Sequence, residues 1–111
     1  MKVEQTRVGT VDVLTPHGAL LDQDAEQFAR ALAERLEQGN ARVVICLKET
    51  PCMDSAALES LLDAADQFGD HSSGLTLAGV TPTCREILEM TGLADRFRFF
   101  NDVNDAVKSF L

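Results

Sequence analysis

The segment from Met53 to Leu58, which reads MDSAAL, carries the side chains best placed to do chemistry. It follows the run VVICL, which is apolar at every position and therefore indicates a strand covered on both faces. An amphipathic helix is predicted directly after it, and open α/β sheets usually carry their sites at this carboxyl end of the strands. Either Asp54 or Ser55 could cap that helix, because both side chains accept hydrogen bonds from a first helical turn.

A second interpretation makes Ser55 a phosphate acceptor at an accessible helix start. A phosphate there carries a charge of about −1.5 to −2 at neutral pH, and the helix dipole would favour it by ~0.3–1 kcal/mol. Burying the same phosphate in an interface without matching cations costs several kcal/mol. Because about 1.4 kcal/mol is tenfold in affinity, phosphorylation of Ser55 could release a partner while the domain stays folded.

The remaining reactive side chains are three cysteines and two histidines: Cys46, Cys52, Cys84, His17 and His71. Three thiols cannot all pair within one chain, and no spacing among these residues matches a zinc motif, so neither a disulfide nor a metal site is expected. Free thiols suit a reducing compartment. Cys46 is predicted to lie in the core and Cys84 to be half-buried. Cys52 could sense oxidation near the helix start or pack beneath the loop, and His17 could approach Ser55.

The composition is that of an acidic single domain. The chain has 111 residues, with 10 Lys+Arg against 18 Asp+Glu and a formal net charge of -8. This length suits one domain over residues 1–111. An acidic surface repels phosphate backbones and anionic headgroups, so no nucleic-acid partner is expected. The apolar runs are too short to insert into a membrane, and the first residues lack the apolar core of a signal peptide, which predicts a cytoplasmic protein.

Hydrophobic periodicity and turn residues predict the element order β-β-α-β-α-β-α-β-α. The predicted strands cover residues 3–7, 11–15, 42–47, 75–80 and 97–100. The first predicted helix begins at Asp22, its N-cap, and ends at the stop signal Gly39-Asn40, and the second covers residues 55–68. The third begins at Thr81-Pro82 and ends at Gly92. The fourth follows a cap at Asn101 or Asp102. A polar loop, GDHSSG, separates the second helix from the next strand.

The spacing of these elements also predicts the fold class. Too few residues separate the first two strands for a helix, so they should pair as an antiparallel hairpin. Strands separated by single helices are normally parallel, with right-handed crossovers. We therefore predict an α/β fold with a mixed, mostly parallel sheet of four or five strands, an antiparallel N-terminal strand and about four helices.

The run CMDSAALESLL resembles the motif of the bacterial anti-sigma factor antagonists of the STAS domain family, which typically reads Asp-Ser-(Ser/Thr)-Gly-Leu. The segments HGALLDQDAEQF and TPTCREILEMTGLADRFRFFNDVNDAV are similar to the family's first helix and to its third helix, last strand and closing helix. Together these segments cover nearly the whole chain in the family's element order. The resemblance implies a STAS-like fold.

The resemblance also implies a function. Members of the family bind an anti-sigma factor, often a serine kinase, and thereby free a sigma factor. The kinase phosphorylates the serine after the motif aspartate, here Ser55, and a PP2C-type phosphatase reverses the modification. This chain departs from the motif at Ala56 and at Ala57, whose methyl group stands where the family has a bare backbone, which puts standard kinase docking in doubt. STAS domains also serve in stressosomes and lipid-transport complexes without being phosphorylated.

The predicted contact surface combines the loop over residues 50–54, the start of the second helix and residues 19–24. Its partner-binding residues are Asp22, Asp24, Met53, Asp54, Ser55, Ala56, Ala57 and Glu59. On the outer side of the helix, Glu59 and Asp63 either offer an acidic edge to a basic partner or serve solubility alone.

Two other classes of protein fit the sequence less well. A receiver domain would use Asp54 as phosphoaspartate, but receivers begin β-α-β and need an acidic pair after the first strand and a lysine after the last, where this chain has Arg7-Val8-Gly9 and Phe99-Phe100-Asn101. A hydrolase would need a GxSxG elbow, and the chain has neither that motif nor a glycine-rich phosphate loop. The pairs Asp22/Asp24 and Asp63/Asp66 fit solvated helix faces. We therefore expect no catalytic residue and no cofactor.

Overall fold

A computed structural model of the chain describes residues 1–38, 42–68 and 75–111, and its strands form one five-stranded sheet. The elements in chain order are β1 (Lys2–Val8), β2 (Val11–His17), α1 (Asp22–Glu37), β3 (Val43–Cys46), α2 (Ser55–Phe68), β4 (Leu75–Ala78), α3 (Pro82–Met90), β5 (Phe97–Phe100) and α4 (Val103–Lys108). A 3-10 turn, Ala94–Arg96, precedes β5. The predicted element order is confirmed.

The sheet has the strand order β1-β2-β3-β4-β5. β1 pairs antiparallel with β2, and the other three pairings are parallel. The prediction of a mixed, mostly parallel sheet with an antiparallel N-terminal strand is therefore confirmed. Because each parallel strand lies beside the next one in the sequence, the loops that leave β2, β3 and β4 stand side by side at one edge of the sheet.

Three helices lie on one face of the sheet, because right-handed crossovers that advance in one direction across a sheet all end on the same side. Buried residues of α1, α2 and α3 share one core cluster with residues of β2, β3, β4 and β5. The other face carries a smaller cluster under α4. Both faces of β3 and β4 are thus covered, which is why every residue in these two strands is buried.

Several predicted boundaries differ from the structure. β1 and β2 are longer than expected, and β2 continues through Pro16. Proline is tolerated there because only residues 12–14 of β2 pair with β3, so the missing N–H of Pro16 interrupts no parallel pairing. β3 and β4 are shorter than expected. The predicted stop at Gly39-Asn40, the loop GDHSSG and His71 lie outside the described residues.

The caps of the last two helices follow the predictions. Thr81 is the N-cap of α3, with Pro82 at its first position. Of the two candidates before α4, Asp102 is the cap, and its side chain accepts a hydrogen bond of 2.8 Å from the N–H of Asp105. Cys46 is buried as predicted. Cys84 is not half-buried but wholly buried, because it lies on the inward side of α3.

The core assignment predicts a large loss of stability on truncation of Phe28, which is wholly buried on α1. We expect Phe28→Ala to lower the free energy of unfolding by about 3–5 kcal/mol, because it removes apolar contacts and leaves a cavity. Met90→Ala is the control, since Met90 is 78% exposed, and it should change stability by less than ~0.5 kcal/mol. Urea denaturation followed by circular dichroism measures both. Equal effects of the two variants would contradict the assignment.

Candidate partner-binding site

The carboxylate of Asp54 joins the starts of two helices. Its Oδ1 accepts a hydrogen bond of 3.0 Å from the N–H of Ala57, in the first turn of α2. Its Oδ2 accepts one of 2.8 Å from the N–H of Asp22, the first residue of α1. Of the two residues predicted as possible caps of α2, the structure therefore gives that role to Asp54.

The prediction that Asp22 caps α1 is wrong. The N-cap is Leu21, which offers no side-chain acceptor, and Asp22 is the first helical residue, with a φ of 50°. Aspartate tolerates this left-handed backbone better than most residues do. The prediction failed because the capping oxygen comes from Asp54, which is distant in sequence and was assigned only to its own helix.

These two backbone donors change the acidity of Asp54. The N–H of Asp22 has the largest effect and that of Ala57 the next, and together they lower the pKa of the Asp54 carboxyl below its ordinary value. Hydrogen bonds to the charged form stabilise it, so the group is ionised at neutral pH. The site therefore holds a fixed negative charge beside Ser55.

A backbone ladder holds the two loops that meet at Asp54. The N–H of Leu20 donates to the carbonyl of Cys52 at 3.0 Å, and the N–H of Asp54 donates to the carbonyl of Leu20 at 2.9 Å. Leu20 and Met53 thereby form a parallel bridge. Closer to the strands, the N–H of Gly18 donates to the carbonyl of Glu49 at 3.0 Å. The β2–α1 loop and the β3–α2 loop thus run together as a short extension of the sheet.

Thr50 ties the same loops to α3. Its hydroxyl donates to the carbonyl of Pro16 at 3.4 Å, and its own carbonyl accepts a hydrogen bond of 2.9 Å from the hydroxyl of Thr81. The predicted contact surface included Thr50, but this residue is 0% exposed and cannot touch a partner. The structural role of Thr50 has no local signal in the sequence, because its partners lie more than thirty residues away along the chain.

Ser55 is exposed at the first position of α2. Its hydroxyl has no hydrogen-bond partner within the described parts of the chain. Ser55 was one of the two predicted caps of α2, but Asp54 fills that role. The next residue, Ala56, is also exposed. The hydroxyl of Ser55 is therefore free to be approached by another macromolecule.

Two of the predicted partner-binding residues point inward. Met53 is 6% exposed and Ala57 is 0% exposed, and both belong to the core cluster. Their side chains therefore support the surface from beneath and cannot contact a partner. The methyl group of Ala57 faces the core, so it does not obstruct an approach to Ser55.

The other predicted residues remain on the surface. Asp22 and Glu59 are exposed, while Asp24 and Asp54 are partly exposed. His17 hydrogen-bonds to the Oε1 of Glu4 at 3.1 Å. In the described part of the chain, no group of three His, Cys, Asp or Glu side chains is arranged to hold a metal ion.

The sequence segments that form the surface around Ser55 contain no basic side chains of lysine or arginine. The sequence contains no lysine or arginine between Lys48 and Arg85, a stretch that includes the whole of α2. It also contains none between Arg7 and Arg30, which covers the β2–α1 loop and the first turns of α1. A partner that docks here meets carboxylates, so basic groups on its own surface would favour association.

Comparison with known proteins gives a family match along nearly all of the chain. A family model described as the STAS domain matches residues 2–106. BtrV of Bordetella bronchiseptica, provisionally assigned as an anti-sigma factor antagonist, is 27% identical over 110 residues, which make up 99% of this chain and 95% of BtrV.

Solved structures with the same fold include antagonists of anti-sigma factors. A provisionally assigned one from Thermotoga maritima has a TM-score of 0.87 at 17% identity, covering 96% of this chain and 92% of that chain. SpoIIAA in its unphosphorylated form has a TM-score of 0.80 at 17% identity, covering 98% and 96%. A sulfate transporter family protein from Wolinella succinogenes has a TM-score of 0.73 at 16% identity, covering 94% and 87%. Among the described residues, every helix is too short or too polar to cross a membrane.

The double role of Asp54 predicts a pH-dependent loss of stability in Asp54→Asn. At pH 7 the variant should unfold at lower urea concentration than the parent, because a neutral amide binds the N–H groups of Asp22 and Ala57 less strongly. A lowered pKa in the folded state stabilises the fold above the ordinary aspartate pKa of about 3.9 and loses this effect as pH falls below it. The difference between parent and variant should therefore shrink in acid. A difference that stays constant from pH 7 to about pH 2 would contradict this role.

Proposed function

Because the chain belongs to the STAS domain family, we propose that it is an anti-sigma factor antagonist that binds an anti-sigma factor of the serine-kinase type. Binding sequesters the anti-sigma factor and thereby frees a sigma factor. The kinase then phosphorylates Ser55 and the complex dissociates, and a PP2C-type phosphatase restores the free hydroxyl. The protein acts in the cytoplasm by reversible binding and not by catalysis. The observation that carries the proposal is the exposed hydroxyl of Ser55, which has no hydrogen-bond partner among the described residues.

The division of roles between Asp54 and Ser55 supports phosphorylation without unfolding. The N–H of Ala57 is already bound by Asp54, so the start of α2 does not depend on the Ser55 hydroxyl. A phosphate on that hydroxyl would extend into solvent, and the dipole of α2 would favour its charge. We therefore expect the phosphorylated chain to keep its fold.

The charges near Ser55 support release of the partner. A phosphate added there stands beside the ionised carboxylate of Asp54, on a helix that has no lysine or arginine. The helix itself can therefore offer no cation to pair with it. In a docked complex the partner alone would have to neutralise the phosphate, and an unmatched buried phosphate costs several kcal/mol. That cost is enough to weaken binding tenfold or more.

A second candidate function follows from the likeness to the Wolinella succinogenes transporter family protein. In this alternative the chain is a non-phosphorylated STAS subunit of a larger assembly, such as a lipid-transport complex or a stressosome. The same surface would then bind a subunit and Ser55 would remain unmodified. A receiver-like role is the weakest alternative, because the fold begins β-β-α and both carboxylate oxygens of Asp54 already accept backbone hydrogen bonds.

Mimicry of the phosphate tests the switch. We expect Ser55→Asp to weaken binding to the anti-sigma factor, recovered from the host by pull-down, at least tenfold while its melting temperature and circular dichroism stay near those of the parent. Ser60→Asp is the matched control on the same helix and should bind within about twofold of the parent. Calorimetry or surface plasmon resonance measures both. Parental affinity in Ser55→Asp would show that the switch is elsewhere or absent.

Phosphorylation itself separates the proposal from both alternatives. With the anti-sigma factor and ATP, we expect one phosphate per chain, located at Ser55 by peptide mass mapping and stable in acid. Ser55→Ala should accept none and still bind. An acid-labile phosphate on Asp54 would indicate a receiver, because acyl phosphates hydrolyse in acid. A chain that binds and is never modified would favour the non-phosphorylated assembly.

A further inference from the structure

Leu21, the residue before α1, exposes an apolar side chain at the candidate site. Its backbone is extended, with φ −127° and ψ 141°, and it is 41% exposed, whereas its neighbour Leu20 is wholly buried. Successive side chains of an extended segment point in opposite directions, so the burial of Leu20 turns Leu21 outward. Among the described residues, the other exposed large apolar side chains lie on β1, on α3 and after α4: Val8, Met90 and Leu111. Leu21 is therefore the member of this group that lies on the β2–α1 loop.

Leucine is an unfavourable residue for the N-cap of a helix. Serine, threonine, aspartate and asparagine are preferred there, because their side chains accept a hydrogen bond from the first turn. α1 has no such acceptor at Leu21, and the N–H of Asp22 is bound by the carboxylate of Asp54 instead. A residue that breaks a local rule, while a distant residue compensates for it, indicates a functional demand on that position. The stability of α1 does not explain this leucine, whereas a contact with a partner does.

Hydrogen bonds on both sides of Leu21 fix its position relative to Ser55. The carbonyl of Leu20 accepts a hydrogen bond of 2.9 Å from the N–H of Asp54, and the N–H of Asp22 donates one of 2.8 Å to the Oδ2 of Asp54. Leu21 thus lies between two residues that are both bound to Asp54, and Ser55 follows Asp54 in the chain. The exposed apolar group and the hydroxyl are held in place before a partner arrives, so little conformational entropy is lost on binding.

Carboxylates lie close to this leucine. Asp22 follows it directly and is exposed, and Asp54 is partly exposed. Glu59 is exposed one turn after Ser55, on the same side of α2, because residues four apart share a helix face. An apolar side chain with acidic groups at its margin fits a partner pocket that is apolar inside and basic at its edge. The same surface of a second copy of the chain would bring carboxylates against carboxylates, which disfavours self-association here.

We propose that Leu21 is the apolar anchor of the partner-binding surface and that it inserts into an apolar pocket, with basic side chains at its edge, on the anti-sigma factor. The inference rests on the proposed function, because it concerns how that partner is recognised. Burial of the leucine slows dissociation, while the nearby carboxylates attract the partner and speed association. A phosphate on Ser55 would stand at the margin of the pocket, where the cost of its desolvation opposes burial of the leucine.

Binding kinetics with the anti-sigma factor, measured by surface plasmon resonance at low and high salt, test the proposal on the full chain. Leu21→Asn has a side chain of similar size that is polar and a good N-cap, so its melting temperature should equal or exceed that of the parent. We expect it to bind at least tenfold more weakly, through faster dissociation, with the salt dependence of association unchanged. Leu21→Met stays apolar and should bind within about threefold of the parent.

Two further variants serve as controls. Val8 is 43% exposed and pairs with Val11 at the start of β2, the opposite end of the sheet from the site, so Val8→Thr should bind within about twofold of the parent. Glu59→Gln removes a charge at the margin of the surface. It should slow association and reduce its salt dependence, and it should leave the dissociation rate within about twofold of the parental rate.

Other outcomes would overturn the inference. Parental affinity in Leu21→Asn would show that the partner does not bury the leucine, and the proposed function would stand. A loss confined to the association rate would show that the residue is not an anchor. Equal losses in Leu21→Asn and Leu21→Met would show that no apolar pocket receives the side chain. A parent chain that binds no anti-sigma factor would overturn the proposed function itself, and this inference with it.

Discussion

The shared carboxylate of Asp54 is the contact on which the geometry of the site depends. α1 has no capping side chain of its own at Leu21, so the N–H of Asp22 relies on an acceptor from another loop. Because the same carboxylate binds the first turn of α2, the two helix starts are fixed relative to each other. A helix end without such a partner would leave donors unsatisfied. The surface around Ser55 is thus built by one ionised side chain and the ladder between Leu20 and Met53.

This arrangement separates the residue that stabilises the helix from the residue available for modification. A serine that caps a helix uses its oxygen to bind an N–H group, and modification of that oxygen would weaken the helix. Here Asp54 occupies the cap, so Ser55 at the first helical position has no structural task in the described part of the chain. Because Asp54 is already charged, a phosphate on Ser55 would make the local potential more negative. That change would act on a partner bound to this surface, since the helix start does not depend on Ser55.

The sequence predicted the parts of the fold that are governed by local patterns. The apolar run over β3 indicated a strand covered on both faces, and Thr81-Pro82 marked the start of α3. The errors concern contacts made across the chain. Asp22 was assigned as a cap because its local position fits one, and nothing in its spacing reveals that Asp54 supplies the acceptor. Met53 and Ala57 belong to the family-like motif, yet the direction of their side chains depends on how α2 packs on the sheet. The motif therefore predicts where a site lies, but it does not distinguish the residues at the surface from the residues that support them.

The one-directional winding of the sheet explains why the β3–α2 loop occupies the central place. Successive crossovers in one direction put the loops after β2, β3 and β4 in a row, and the β3–α2 loop is the middle one. It is bonded to the β2–α1 loop through Asp54 and to α3 through the carbonyl of Thr50. A change in the middle loop therefore reaches both neighbours by direct hydrogen bonds, while α4 lies across the sheet on the opposite face. A partner that rests on this edge would contact three loops held together by these hydrogen bonds. Ser55 lies next to Asp54, the residue that binds the starts of both α1 and α2.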